Sequence, residues 1–159
     1  MILLQFKGDV IKGESQVEGH PNWINVDSFQ LGVGRSITQS GRGSDRDTSN
    51  PSFSEATFHR ATDKASPDLF FQAVCGKSLG EAKVHFTQKA EADKEQVYLE
   101  YILGDPIISS YSISSGGDRP SESFSINFVK ISKKYTAFSG SKVGDQPEKK
   151  WDLVANKSY

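Results

Sequence analysis

Gly76, Lys77 and Ser78 come nearest to a chemical motif in this chain: at the end of a P-loop, such a lysine and serine would meet phosphate and magnesium. The spacing fails, because the first glycine of that loop would fall at Phe71. The triplet also ends a predicted helix, where a P-loop must begin one. His20, His59 and His85 are far apart in sequence, with no His-Glu-x-x-His and no cysteine pair to make a zinc site, so each reads as a surface or strand histidine. A nucleophile elbow needs Gly-x-Ser-x-Gly on a tight strand-to-helix turn, and no serine is read as flanked that way. Glu91, Asp93 and Glu95 share a lysine-containing turn, where a solvated hairpin explains them better than acid/base work. Asn156-Lys157-Ser158 fits a glycosylation sequon, a weak signal in a chain whose start does not read as a signal peptide. The residues predict no catalytic site, no cofactor and no metal.

The elements that position these side chains are mostly strands. Short runs rich in Val, Ile, Phe, Tyr and Thr alternate with Gly, Ser, Asn, Asp and Pro clusters, the pattern of a sandwich or barrel. Strands are predicted over 2–7, 22–33, 53–60, 81–88, 95–103, 106–114, 122–136 and 149–155. Within 122–131, alternation sets Phe124, Ile126, Phe128 and Lys130 on one face and Ser125, Asn127, Val129 and Ile131 on the other. One helix interrupts them, with Ser66 expected at the N-cap, Pro67 in the first turn, Asp68 near the positive end and Gly76 as terminator. Leu69, Phe70, Phe71, Ala73, Val74 and Cys75 leave it only Asp68 and Gln72 as a polar stripe. Such a helix is either plugged into the end of a barrel or covered partly by a neighbouring subunit.

Two polar segments read as loops. Residues 34–52 are too rich in Gly and Ser to pack in a core, and Arg42, Asp45, Arg46 and Asp47 give them both signs of charge. Residues 114–121, with Gly116, Gly117, Asp118 and Arg119, join two strong strands.

A chain of 159 residues is the size of one domain, and 1–159 is read as one. Its 19 basic and 20 acidic residues give a net charge of -1 without a block of one sign, so nucleic acid and anionic membranes are poor partners. The only cysteine, Cys75, cannot make an intramolecular disulfide. The start, Met1 to Gly8, lacks the basic and long apolar regions of a secretory signal, and no stretch is long enough to span a bilayer.

Three segments recur together in one known family: Gly-Asp-Val-Ile-Lys-Gly-Glu-Ser at 8–15, Thr-Asp-Lys-Ala-Ser-Pro-Asp-Leu at 62–69, and Gly-Gly-Asp-Arg-Pro-Ser-Glu-Ser-Phe-Ser-Ile-Asn-Phe at 116–128. With Trp23 to Val26, Phe29 to Gly32, Ala82 to Phe86 and Phe128 to Ile131, they resemble the haemolysin-coregulated protein of bacterial type VI secretion as far as about Tyr135. The resemblance implies a mainly β fold, a small β-barrel of two packed antiparallel sheets with one flanking α-helix. It implies a non-catalytic tube subunit that forms homohexameric rings, stacks them, and carries secreted effectors in the lumen alongside spike and sheath components. It implies assembly in the cytoplasm and export without a Sec signal. By the same resemblance Ser28 and Gln30 face the lumen and contact cargo, while Arg42, Asp45, Arg46, Asp47, Asp118 and Arg119 join rings or protomers. A second reading is a non-catalytic β-sandwich holding carbohydrate or peptide on aromatics such as Trp23, Tyr98 or Trp151.

Overall fold

Residues 1–39 and 46–159 are described by a computed structural model of the chain, residues 39 and 46–48 as backbone only. The principal strands are β1 (Ile2–Phe6), β2 (Ile24–Val26), β3 (Ser28–Gln30), β4 (Ala56–Ala61), β5 (Glu81–Lys89), β6 (Glu95–Gly104), β7 (Ile107–Ser114), β8 (Ser121–Asn127), β9 (Lys130–Tyr135), β10 (Glu148–Asp152) and β11 (Lys157–Ser158), with one α-helix, α1 (Ser66–Cys75), between β4 and β5. They form a seven-stranded sheet in the order β11-β10-β9-β6-β5-β1-β2 and a four-stranded sheet in the order β7-β8-β4-β3. Their ladders are antiparallel. The expected class, mainly β with packed antiparallel sheets and one helix, is what the chain adopts.

The core lies between the sheets. Leu4 and Phe6 of β1, Val84 of β5 and Leu103 of β6 meet Phe58 of β4, Phe124 and Ile126 of β8 and Ile108 of β7. Phe58 and Phe124 are opposite each other in the ladder and stack with centroids 5.0 Å apart. Aromatic pairing of this kind adds to burial, and removing one ring would cost about 3–5 kcal/mol.

The chain steps from one sheet to the other at Asp27, at Asp105–Pro106 and at Phe128–Val129. Asp27 donates its amide to His59 O at 2.9 Å, so β2 and β3 are one bent ribbon serving both sheets. Asp105 makes its corner with φ 49°, a left-handed conformation that a short polar side chain tolerates. The step at Phe128–Val129 corrects the single strand predicted over 122–136. Alternation holds through Phe128, then resets on entry into the other sheet, so Ile131 is buried and Lys130 exposed. The segment 34–52, read as a loop, contains paired backbone at 37–39 with 46–48 and at 33–34 with 52–53.

Helix α1 starts at Ser66, one residue earlier than a Ser66 cap would place it. The Ser66 hydroxyl faces back, accepting from Asp63 N at 3.0 Å and donating to Glu122 Oε1 at 2.9 Å, while Asp63 Oδ1 accepts from Ala65 N at 2.8 Å. Gly76 ends the helix as expected, with φ 66°.

Candidate lumen and contact surfaces

Three polar or apolar surfaces follow from the register. The first is the outer face of the four-stranded sheet. Phe29 of β3 points into the core, packing on Phe58, Phe86 and Tyr101 at 5.2 to 5.6 Å. Its neighbours Ser28 and Gln30 therefore point out, and both are exposed. In the ladders Ser28 stands opposite His59, which stands opposite Ser123 and then Ser112. Gln30 stands opposite Thr57, then Ser125 and Ser110. The face is therefore small hydroxyls, one amide and one imidazole; Ser112 and Ser123 hydroxyls lie 3.2 Å apart. It carries no Lys, Arg, Asp or Glu at these register positions. The same alternation of Ser with Phe and Ile in 121–126, and the Ser-x-Ser spacing at 110, 112 and 114, marks this face in the sequence.

The second surface is a corner at the Ala61 end of the sheet, where the three sequence segments singled out above converge. Thr62 N and Oγ1 both donate to Pro120 O, at 3.1 and 3.3 Å. Arg119 donates Nε and Nη2 to Thr62 O at 2.9 and 2.6 Å, and Lys64 N donates to Glu14 Oε1 at 3.3 Å. Beneath them Arg60, 2 % exposed, donates Nε to Asn25 O at 2.9 Å, pairs Nη2 with Asp63 Oδ2 at 2.5 Å, and donates Nη1 to Glu122 Oε1. Tyr111 OH donates to Glu122 Oε2; burial first, then that carboxylate, push the phenol up to about 12. A cleft of about 190 Å³ opens over this network, lined by Glu14, Asn25, Asp27, Thr62, Asp63 and Arg119 among others. Of the proposed contact residues, Asp118 is exposed in this corner, while Arg119 turns Nε and Nη2 to Thr62 O of its own chain. Arg46 and Asp47 lie in paired backbone at the other end of the sheet, where β3 leaves at Gln30 and β4 begins at Ala56. Arg42 and Asp45 lie outside the described residues.

The third surface is on α1. Only Leu69 is buried, while Phe70, Phe71 and Val74 are 55, 58 and 67 % exposed. Phe70 edges onto Tyr111 at 5.9 Å. The helix is not plugged into the core: it lies beside β7 and leaves an apolar stripe open.

Two expectations about side chains are overturned. Trp23 was a candidate surface aromatic, yet it is 6 % exposed, with His20 and His85 rings each 4.6 Å from its centroid. His20 and His85, remote in sequence and expected to be separate, are hydrogen-bonded. A hairpin over 16–21 that carries His20 onto the sheet joins them, and its four paired residues gave no alternation to find it by. Gly76-Lys77-Ser78-Leu79-Gly80 does spell Gly-x-Ser-x-Gly, but it runs from helix to strand, the reverse of a nucleophile elbow. Ser78 Oγ donates to Asp105 Oδ1 at 3.4 Å. Among the described residues, no group of three or more His, Cys, Asp or Glu side chains could hold a metal, and no helix is long and apolar enough to cross a membrane.

The family model for the type VI secretion system effector Hcp matches residues 3–135. The chain belongs to the Hcp family of type VI secretion. Solved structures agree: a type six secretion system protein, 24 % identical, superposes with a TM-score of 0.88 over 99 % of this chain and 98 % of its own. Hcp1 from Salmonella typhimurium is 26 % identical over 99 % of this chain and 97 % of its own, TM-score 0.78. Hcp2 from Salmonella typhimurium is 26 % identical over 98 % of each, TM-score 0.71. No curated protein sequence matches the chain. The three segments at 8–15, 62–69 and 116–128 contribute Glu14, Thr62, Asp63 and Arg119 to the cleft over Arg60.

Proposed function

We propose that this chain is a single-domain, non-catalytic subunit of the type VI inner tube, closing head-to-tail into six-membered rings that stack and carry effectors in their lumen. The observation that carries the reading is the hydroxyl-rich face around Ser28 and Gln30, with no charged residue at its paired register positions. A channel wall that must hold different cargoes and release them is served by short side chains that hydrogen-bond weakly and impose no fixed charge. Gln30, the longest group on β3's outer face, is the cargo contact.

The other surfaces fit the same assembly. The apolar stripe of Phe70, Phe71 and Val74 is what a neighbouring protomer would cover, since a heterologous contact that closes satisfies every copy's patch in turn. We assign ring-to-ring contact to the 34–52 segment, with Arg42, Asp45, Arg46 and Asp47, and to the 115–120 loop, with Asp118 and Arg119, one meeting the ring above and the other the ring below. Both carry mixed charge, and exposed pairs contribute only about 0–1 kcal/mol each, so stacking is salt-sensitive and favoured by an assembly platform. Subunits assemble in the cytoplasm, and contraction of an outer sheath drives the tube, with its spike, out of the cell without a Sec signal.

Gln30→Arg tests the lumen assignment. Rings of unchanged mass with cargo co-purification reduced about tenfold or more are expected, because a fixed charge facing six-fold copies of itself disfavours most cargo. Unchanged cargo recovery would place Gln30 elsewhere.

A further inference from the structure

Segment 13–23 crosses the outer face of the seven-stranded sheet. It is held to itself by Gly13 N to Asn22 O at 2.8 Å, Asn22 N to Ser15 O at 3.0 Å and Ser15 N to Trp23 O at 3.1 Å. It meets the sheet through a line of ring nitrogens. His20 Nδ1 lies 3.3 Å from Glu18 O, His20 Nε2 lies 2.9 Å from His85 Nδ1, and His85 Nε2 lies 2.5 Å from Glu100 Oε2. Leu3, His85 and Glu100 are cross-strand neighbours on β1, β5 and β6, so this line runs across the sheet face that the segment covers. The Trp23 ring closes one side of it.

We propose that His20, His85 and Glu100 form a proton-counting latch that pins segment 13–23 to the sheet in one protonation state and releases it on acidification. The count follows from donor chemistry. A backbone carbonyl can only accept, so His20 Nδ1 must carry hydrogen to bond Glu18 O. The nitrogen-to-nitrogen contact needs one hydrogen, and an ionised Glu100 needs another on His85 Nε2. Three bonds require three protons on four ring nitrogens, whereas two neutral imidazoles hold two. With His20 Nδ1–H, the middle proton sits on His85 Nδ1, which makes His85 the imidazolium, beside the Glu100 carboxylate. A fourth proton would go to His20 Nε2, the lone pair that accepts from His85, and would set two N–H groups and two cations face to face at 2.9 Å. The surrounding charges bear on the same balance. Burial, the larger cause, and then the charge of His85 hold His20 below its ordinary value, opposed by the bond to Glu18 O and by Glu95. The bond from His85 holds Glu100 below the usual carboxylate range, with Lys83 and Lys134 acting the same way.

The assembled protein labelled with ring-15N histidine gives a direct test, because it contains three histidines and His59 is exposed and serves as reference. At about pH 7.5 the latch predicts His20 as the neutral Nδ1–H tautomer and His85 with both nitrogens protonated. A neutral His85, or His20 protonated on Nε2, overturns the proposal. Amide exchange gives the second readout. The closed pair holds one proton, whereas two freed imidazoles hold about one between them at about pH 6.5 and two well below it, so between about pH 6.5 and pH 5, after correction for intrinsic rates, exchange over 13–23 should rise about tenfold against amides of 121–127. Glu100→Gln keeps an acceptor for His85 but removes the charge; it should return His85 to the neutral form at about pH 7.5 and raise exchange over 13–23 at about pH 6.5 about tenfold over the parent chain while 121–127 stays protected. A His85 still doubly protonated in that variant, or a pH-independent exchange in the parent chain, contradicts the latch.

Discussion

Arg60 shows how one side chain can organise distant segments. Its guanidinium satisfies Asn25 O, Asp63 and Glu122 from inside the protein, and Glu122 takes Ser66 and Tyr111 in turn. A buried pair adds little beyond an apolar replacement, but a half-broken one leaves a stranded charge. Arg60→Met should therefore lower stability by about 3–5 kcal/mol in denaturant melts and loosen the start of α1. A loss below about 1 kcal/mol would show that solvent reaches Glu122. Gly13 is a second such position: a Cβ there would stand 2.2 Å from Trp23 O, so Gly13→Ala must push segment 13–23 off the sheet, at a cost of about 1–3 kcal/mol in the same assay. The cited shifts of His20 and Glu100 share one sign. Both groups hold protons less tightly folded than unfolded, so stability is lost as pH falls, first below the ordinary 6.5 of His20 and then below the 4.5 of Glu100. Melting temperature should fall from about pH 6.5 to about pH 4, and a flat profile would mean that neither shift survives in solution.

Elements were legible where the sequence carries a period or a punctuation mark. The long alternating strands β5, β6 and β7 and the helix between Pro67 and Gly76 were read to within a residue or two, because burial of one face and chain-terminating residues leave a local signal. The break at Phe128–Val129 was not, since the strand continues in pattern and only the change of sheet inverts its faces. Nor was the pairing of His20 with His85, which depends on a hairpin too short to alternate. The open stripe of α1 is the element-level claim with the sharpest consequence. Phe71→Asp and Val74→Asp remove exposed apolar surface that no described contact buries, so the isolated fold should change by no more than about 0.5 kcal/mol. If a neighbour covers the stripe, these variants should shift the protein from rings to monomers in sedimentation with an unaltered far-UV spectrum. Rings that persist with both charges in place would move the protomer contact off the helix.

At the scale of the whole molecule, the sheet order places a hydroxyl-rich face on one side, the Arg60 corner at one end and the paired backbone of 37–39 and 46–48 at the other. Ser28 and Gln30 could be named from sequence alone through resemblance, whereas the alternate serines of β7 and β8, visible as a spacing, are joined to their face only by the register. A closed tube would use all of these surfaces at once. The direct measurement is a native mass spectrum at moderate salt, paired with negative-stain images. Six copies of the 17.5 kDa chain around a central hole are predicted. A monomer across a wide range of concentration would contradict the tube account.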